Sequence, residues 1–170
     1  MELGENLTKT GQYSTAEGHL LAATELAPNE SANGDALNEL ATLYAETNRT
    51  AEAKKLFEQS LLLRQTTHGP TSGRVASSYN NLGLTYKRLG DLDIAEEYLR
   101  MALEIDEANR GLDHPMVAVR LSNLSSILQD SSESEGAEQT KRLQEAAENL
   151  ERAVAIFEKF YGHGHSRSAQ

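Results

Sequence analysis

Apolar residues recur along the chain at helical spacing. Leu37, Leu40, Ala41 and Tyr44 stand at i, i+3, i+4 and i+7, which puts them on one face of an α-helix. The spacing returns at Tyr79, Leu82, Gly83 and Tyr86, and again at Leu121, Leu124, Ser125 and Leu128. Between these lie further helical faces: Ala53, Leu56, Phe57, Ser60 and Leu61, then Ala95, Tyr98, Leu99, Ala102 and Leu103. Short polar turns, Thr47-Asn48-Arg49 and Leu89-Gly90-Asp91, separate the two kinds of helix. Gly90 suits a helix C-cap, and Asp91 or Asp93 an N-cap. The pattern predicts an all-α chain of antiparallel helix pairs.

These pairs form a repeat. Leu40, Leu82 and Leu124 are spaced by 42 and 42, and the same spacing relates Asn38 to Asn80, Asn81 to Asn123, Tyr44 to Tyr86, Ala53 to Ala95, Gly69 to Gly111 and Val75 to Val117. Residues 146–162 align with 95–111 at an offset of 51, so the third unit carries nine extra residues. The insertion belongs near 131–139, where Ser131-Ser132-Glu133-Ser134-Glu135-Gly136 reads as a loop. Residues 137–146 are rich in helix formers and extend the helix that follows. A partial unit precedes these: Gly11, Ala16, Leu20, Ala23 and Leu26 match Asn48, Ala53, Phe57, Ser60 and Leu63 at an offset of 37. Pro28 ends that helix, Ser31 or Asn33 can start the next, and Glu2–Lys9 would form a partner helix with Leu7 placed like Tyr44. The expected organisation is one array over 1–170: a partial repeat 1–30, then repeats 31–72, 73–114 and 115–165. An array that starts inside one hairpin and stops after another reads as a segment of a longer repeat protein. One hairpin cannot bury its apolar face alone, so neighbours must stack.

Composition narrows the function. Among 170 residues there are 16 Lys+Arg, 26 Asp+Glu and no Cys, for a net charge of −10. The absence of Cys removes disulfides, thiolate metal sites and a cysteine nucleophile. The acidic balance argues against binding nucleic acid or a membrane surface, and the expected location is the cytoplasm. Hydrophobic residues make up 38%, which suits a one-dimensional stack with narrow seams. The five histidines are His19, His68, His114, His163 and His165. His114, before Pro115, is expected to satisfy backbone groups or cap a helix, and His163-x-His165 to be incidental. Phosphate-binding glycine loops and catalytic groupings are missing, so no enzymatic activity, cofactor or metal is expected.

Tyr79-x-x-Leu82-Gly83-x-x-Tyr86, followed by Ala95-x-x-x-Leu99-x-x-Ala102, resembles the tetratricopeptide (TPR) signature of paired helices. The linker Gly111-Leu112-Asp113-His114-Pro115-Met116-Val117-Ala118 and the segments Ser78-Tyr79-Asn80-Asn81-Leu82-Gly83 and Ala102-Leu103-Glu104-Ile105 resemble the kinesin light chain subfamily, whose longer repeat matches the spacing of 42. The resemblance covers residues 11–165. It implies an α-solenoid of stacked antiparallel helix pairs forming a right-handed superhelix. First helices would line its concave side and second helices its convex side.

On that concave side, helical geometry selects Asp35, Asn38, Glu39 and Thr42, then Ser77, Asn80, Asn81, Leu84, Lys87 and Arg88, then Ser122, Asn123 and Ser126. Four asparagines inside helices need a reason, because Asn is a poor helix former. An amide offers a donor and an acceptor and can pair with an extended peptide backbone; in the family such a row resembles a ladder that grips cargo peptides. The alternative is that these amides bond to neighbouring helices or to water. Lys87 and Arg88 could hold a ligand's acidic group, or simply favour the helix end. Asp35, Glu39 and Glu46 make the first groove helix acidic. The leading expectation is a scaffold binding a protein or peptide in the concave groove, with contacts from Asn38, Thr42, Ser77, Asn80, Asn81, Leu84, Lys87, Arg88, Ser122, Asn123 and Ser126. The alternative is self-assembly, a homo-oligomer formed through the repeat ends.

Overall fold

The computed structural model describes residues 2–130 and 136–162, with side chains from residue 11 onward. These residues form seven α-helices: α1 Glu2–Glu25, α2 Glu30–Glu46, α3 Thr50–His68, α4 Gly73–Leu89, α5 Leu92–Arg110, α6 Pro115–Asp130 and α7 Ala137–Tyr161. Helices α2 and α3, α4 and α5, and α6 and α7 pack as hairpins, and each hairpin stacks on the next through α3–α4 and α5–α6. The result is an α-solenoid. The backbones of α2 and α4, and of α4 and α6, also approach one another, whereas those of α3, α5 and α7 do not. The first helices therefore line the inner side of the curve.

The repeat is visible in the core. Leu40, Leu82 and Leu124 are all buried, as are Tyr44 and Tyr86, with Leu128 at the equivalent place in α6. Ala53 and Ala95, near the starts of α3 and α5, and Ala146, inside the longer α7, are fully buried. Tyr98 stacks on Tyr86 at 5.5 Å between ring centroids, and Lys54 Nζ lies 4.7 Å from the Tyr86 ring centroid.

The turns repeat too. Gly90 closes α4 in the left-handed conformation at φ 89°, and Asn48, at the same repeat position, reaches φ 63°. Asn is among the few side chains that visit this region readily. In both turns the chain bonds back to the same tyrosine carbonyl: Arg49 N–H to Tyr44 O at 2.8 Å and Asp91 N–H to Tyr86 O at 3.0 Å. Asp91 occupies the N-cap position of α5, but its side chain makes no capping bond. Ser72 and His114 share another repeat position and a role. The Ser72 hydroxyl accepts from Val75 N–H at 3.4 Å, and His114 Nδ1 accepts from Met116 N–H at 3.1 Å.

Two expectations change at the N-terminal end. Helix α1 runs unbroken from Glu2 to Glu25, so Glu2–Lys9 forms no separate partner helix. Gly11 alone costs a helix about 1 kcal/mol, less than breaking the hydrogen bonds around it, and no proline nearby forces a stop. The cap of α2 is Asn29, whose side chain accepts from Ala32 N–H at 2.9 Å, and neither Ser31 nor Asn33 starts the helix. Helix α1 is tied to the stack by Ala16 and Leu20 against the core and by Glu17. That carboxylate accepts from Arg49 at 2.7 Å and from Tyr44 Oη at 2.8 Å. These bonds, with the Arg49 charge behind them, hold the Glu17 carboxyl below its ordinary value. At the other end, α7 does begin at Ala137, as the run of helix formers predicts. Ser131–Glu135 of the expected loop, and His163 and His165, lie outside the described residues.

Candidate functional site

The asparagine row lies on the inner helices and is bonded across them. Asn81 Nδ2 of α4 donates to Asn38 Oδ1 of α2 at 3.1 Å. Asn123 Nδ2 of α6 donates to Asn80 Oδ1 of α4 at 2.8 Å. Asn38 and Asn80 are buried as acceptors, while Asn81 and Asn123 are half-buried donors. The inter-helix alternative is thus present in the structure. It leaves Asn81 and Asn123 with a carbonyl oxygen and a second N–H each for other partners.

The other expected groove residues divide by what they already touch. Thr42, Ser77 and Ser122 return their hydroxyls to carbonyls one turn back: Asn38 O at 2.9 Å, Gly73 O at 3.1 Å and Ala118 O at 2.9 Å. Lys87 donates to Ser126 Oγ at 2.5 Å and pairs with Asp130 at 2.7 Å. Arg88 donates to Ala45 O at 2.6 Å, satisfying a carbonyl at the C-terminal end of α2. Both basic groups are therefore engaged within the chain, and an incoming acid would compete with Asp130 or with that carbonyl. Thr42, Asn81, Leu84 and Arg88 converge on a hollow of about 170 Å³ between α2 and α4, floored by Phe57 and walled by Glu46.

A second set of polar residues sits deeper, in the seams between hairpins; of these only Asp35 and Asn38 were singled out by the sequence. Arg64 of α3 is 6% exposed. It donates to Asn38 Oδ1 at 3.2 Å, Ser78 Oγ at 2.9 Å and Asp35 at 2.9 Å. Arg74 bonds the other Asp35 oxygen. Burial pushes the Asp35 carboxyl up, but the bonds from Arg74 and Arg64 outweigh it and hold its pKa below the ordinary value. In the next seam Asp106, 1% exposed, accepts from Arg120 Nε at 2.9 Å and Arg110 Nε at 3.0 Å. Burial lowers the pKa of Arg120 against the pull of that carboxylate. A signal was available: Arg64 and Asp106 are one repeat apart, as are Ser78 and Arg120, and all four fall where the helical pattern is otherwise buried.

Of the histidines within the described residues, His68 Nε2 meets Ser31 Oγ at 2.9 Å, His114 caps α6, and His19 is exposed. No group of three or more metal-ligating side chains occurs among the described residues, and no helix there is long and apolar enough to cross a membrane.

Comparison with known proteins places this geometry. The tetratricopeptide repeat family model matches residues 30–108 and 74–140. The Anaphase-promoting complex subunit CDC16 of Saccharomyces cerevisiae is 29% identical over 107 residues, 63% of this chain but 12% of that protein's length. The chain thus spans a small part of that relative. A kinesin light chain-like protein of nearly identical TPR-like repeats from Podospora anserina superposes with a TM-score of 0.71 at 23% identity, over 94% of this chain and 74% of that one. The structure of BtubC (BKLC) from P. vanneervenii gives a TM-score of 0.63 at 21% identity, over 96% of this chain and 77% of that one. At these identities the likeness speaks for the fold.

Proposed function

The chain belongs to the tetratricopeptide repeat family, whose members are generally non-enzymatic scaffolds for protein–protein interaction, and from that premise we propose that its concave face binds an extended segment of a partner protein. The observation that carries this is the amide row. Asn81 and Asn123 each spend one N–H on the helix before them and keep a carbonyl and an N–H that a peptide backbone can pair with. The interhelical bonds add to this role, because they hold each amide in one orientation before a ligand arrives. The hollow between α2 and α4 supplies an apolar contact through Leu84 and Phe57 beside Asn81. The test uses peptides selected from a displayed library against the intact chain. Asn81→Ala/Asn123→Ala should weaken the selected peptides at least tenfold while helicity by circular dichroism is kept. Unchanged affinity at full helicity would remove the groove from consideration.

Self-association is the second reading, favoured by α7. Leu143, Leu150, Val154 and Tyr161 are exposed along one stripe of that helix. Leu150 and Val154 align with Leu99 and Leu103 of α5, yet Leu99 is fully buried while Leu150 is 37% exposed. An apolar stripe of this kind accepts another helix. Sedimentation should then show mass rising with concentration and Val154→Lys abolishing the rise; a strict monomer at all concentrations rules this reading out.

A further inference from the structure

Where α3 ends and α4 begins, Arg64, His68, Ser72, Gly73, Arg74, Ser77 and Arg110 line a recess of about 500 Å³. Its charge runs against that of the molecule. Four guanidiniums (Arg64, Arg74, Arg110 and Arg120) are joined by two carboxylates, Asp35 and Asp106, so two positive charges are left over in a chain of net charge −10.

The donors are not used up by those pairs. Arg64, although 6% exposed, has an Nε with no acceptor. A buried charged donor left unpaired is costly and calls for a partner. Arg110 gives its Nε to Asp106, which leaves its terminal nitrogens; a Cβ built on Gly73 would lie 3.1 Å from Arg110 Nη2, so this head group rests at the first residue of α4. There the amides of Gly73 and Arg74 precede the capped Val75, and the helix dipole adds partial positive charge. The recess does not recur with the repeat. One repeat on, the places of Arg64, Arg74 and Ser77 are taken by Asp106, Met116 and Val119.

We propose that this recess binds a dianionic phosphate group, with Arg74 and Arg110 as forked donors, Arg64 beneath them and the α4 amides completing the cradle. Two surplus positive charges match a dianion, and several oxygens arranged tetrahedrally can meet guanidiniums that come from three helices. The same chemistry is offered by free inorganic phosphate and by a phosphorylated serine. The site does not depend on the groove, since a small anion suffices to fill it.

The test is a titration of the intact, nitrogen-labelled chain at fixed ionic strength, followed by amide shifts. The probes are inorganic phosphate, a glycine-flanked phosphoserine pentapeptide, its glutamate counterpart, and acetate. Phosphate should give saturable shifts centred on Gly73, Arg74 and Ser77. Arg74→Gln/Arg110→Gln should weaken it at least about tenfold, while Arg100→Gln, on an exposed cluster elsewhere on α5, should not. Both altered side chains are substantially exposed, so the fold is expected to persist, and equal melting curves without phosphate check this. Tighter binding of the phosphopeptide than of inorganic phosphate would assign a protein-borne group; equal binding would assign the free ion. The proposal is overturned if the shifts never saturate, if the double variant binds as well as the parent, or if acetate or the glutamate peptide binds as tightly.

Discussion

Gly83→Ala puts two known effects in opposition at one position. Gly83 lies inside α4, where replacing glycine by alanine ordinarily gains about 1 kcal/mol from backbone entropy. Here the added methyl has no space. A Cβ at Gly83 would sit 2.8 Å from Leu99 Cγ, 2.9 Å from Leu99 Cδ2 and 3.1 Å from the Ala95 carbonyl oxygen. Leu99 is fully buried and cannot swing away, and the carbonyl belongs to the backbone of α5. Overpacking of this kind costs about 1–3 kcal/mol, which offsets the gain and should leave the substitution destabilising by up to about 2 kcal/mol. Ala41, one repeat earlier, shows that the position accepts a methyl when the facing helix is set differently. Urea unfolding followed by helical circular dichroism measures the change. The decisive control is Leu99→Ala, which itself should cost about 2–5 kcal/mol but removes the two nearest obstructing atoms, leaving only the Ala95 carbonyl at 3.1 Å. In that background Gly83→Ala should reverse sign and stabilise. The same effect in both backgrounds, or a gain in the parent chain, would refute the close-packing argument.

Asp106→Asn should destabilise by about 3–5 kcal/mol, because it leaves Arg120, with a side chain 4% exposed, charged and without its counter-ion in the seam; a thermal melt showing less than about 1 kcal/mol would count against a buried pair. Asp35 predicts a pH effect. Its folded pKa is lowered, so its contribution is complete above the unfolded carboxyl value and is lost as pH falls through the folded one. The difference in melting temperature between parent and Asp35→Asn should therefore be present at neutral pH and close only under acid conditions, below the ordinary aspartate range of about 4; a gap that closed near neutrality would be inconsistent with this.

The helices, the hairpin order and the core were legible because the same spacing recurs, and each recurrence confirms the register of the others. Leu40, Leu82 and Leu124 needed no structure to be placed inside. What failed was local. The repeat offset put Gly11 at the turn position of Asn48, but equivalence of position carries no obligation to turn when nothing there stops a helix. The cap of α2 was missed by two residues because Asn29, Ser31 and Asn33 all qualify chemically. Which of them caps depends on how far Pro28 carries the chain before α2 meets α3.

The polar site was half legible for a different reason. A repeat period reveals equivalent residues, whereas contacts join inequivalent ones. Asn81 bonds to Asn38 and Asn123 to Asn80, one residue past the period, because successive helices are rotated relative to one another. The seams make the point more strongly. At one repeat position the chain buries Arg64, and at the next Asp106; facing them stand Ser78 and then Arg120. Shifting the hairpins by one repeat would set Arg64 against Arg120, burying two like charges without a counter-ion, which costs far more than either native seam. The buried charges therefore reinforce one register between hairpins whose order the four-residue linkers 69–72 and 111–114 already set, and through Arg64 they also hold Asn38. The asparagine row is therefore aligned by residues that lie outside the groove.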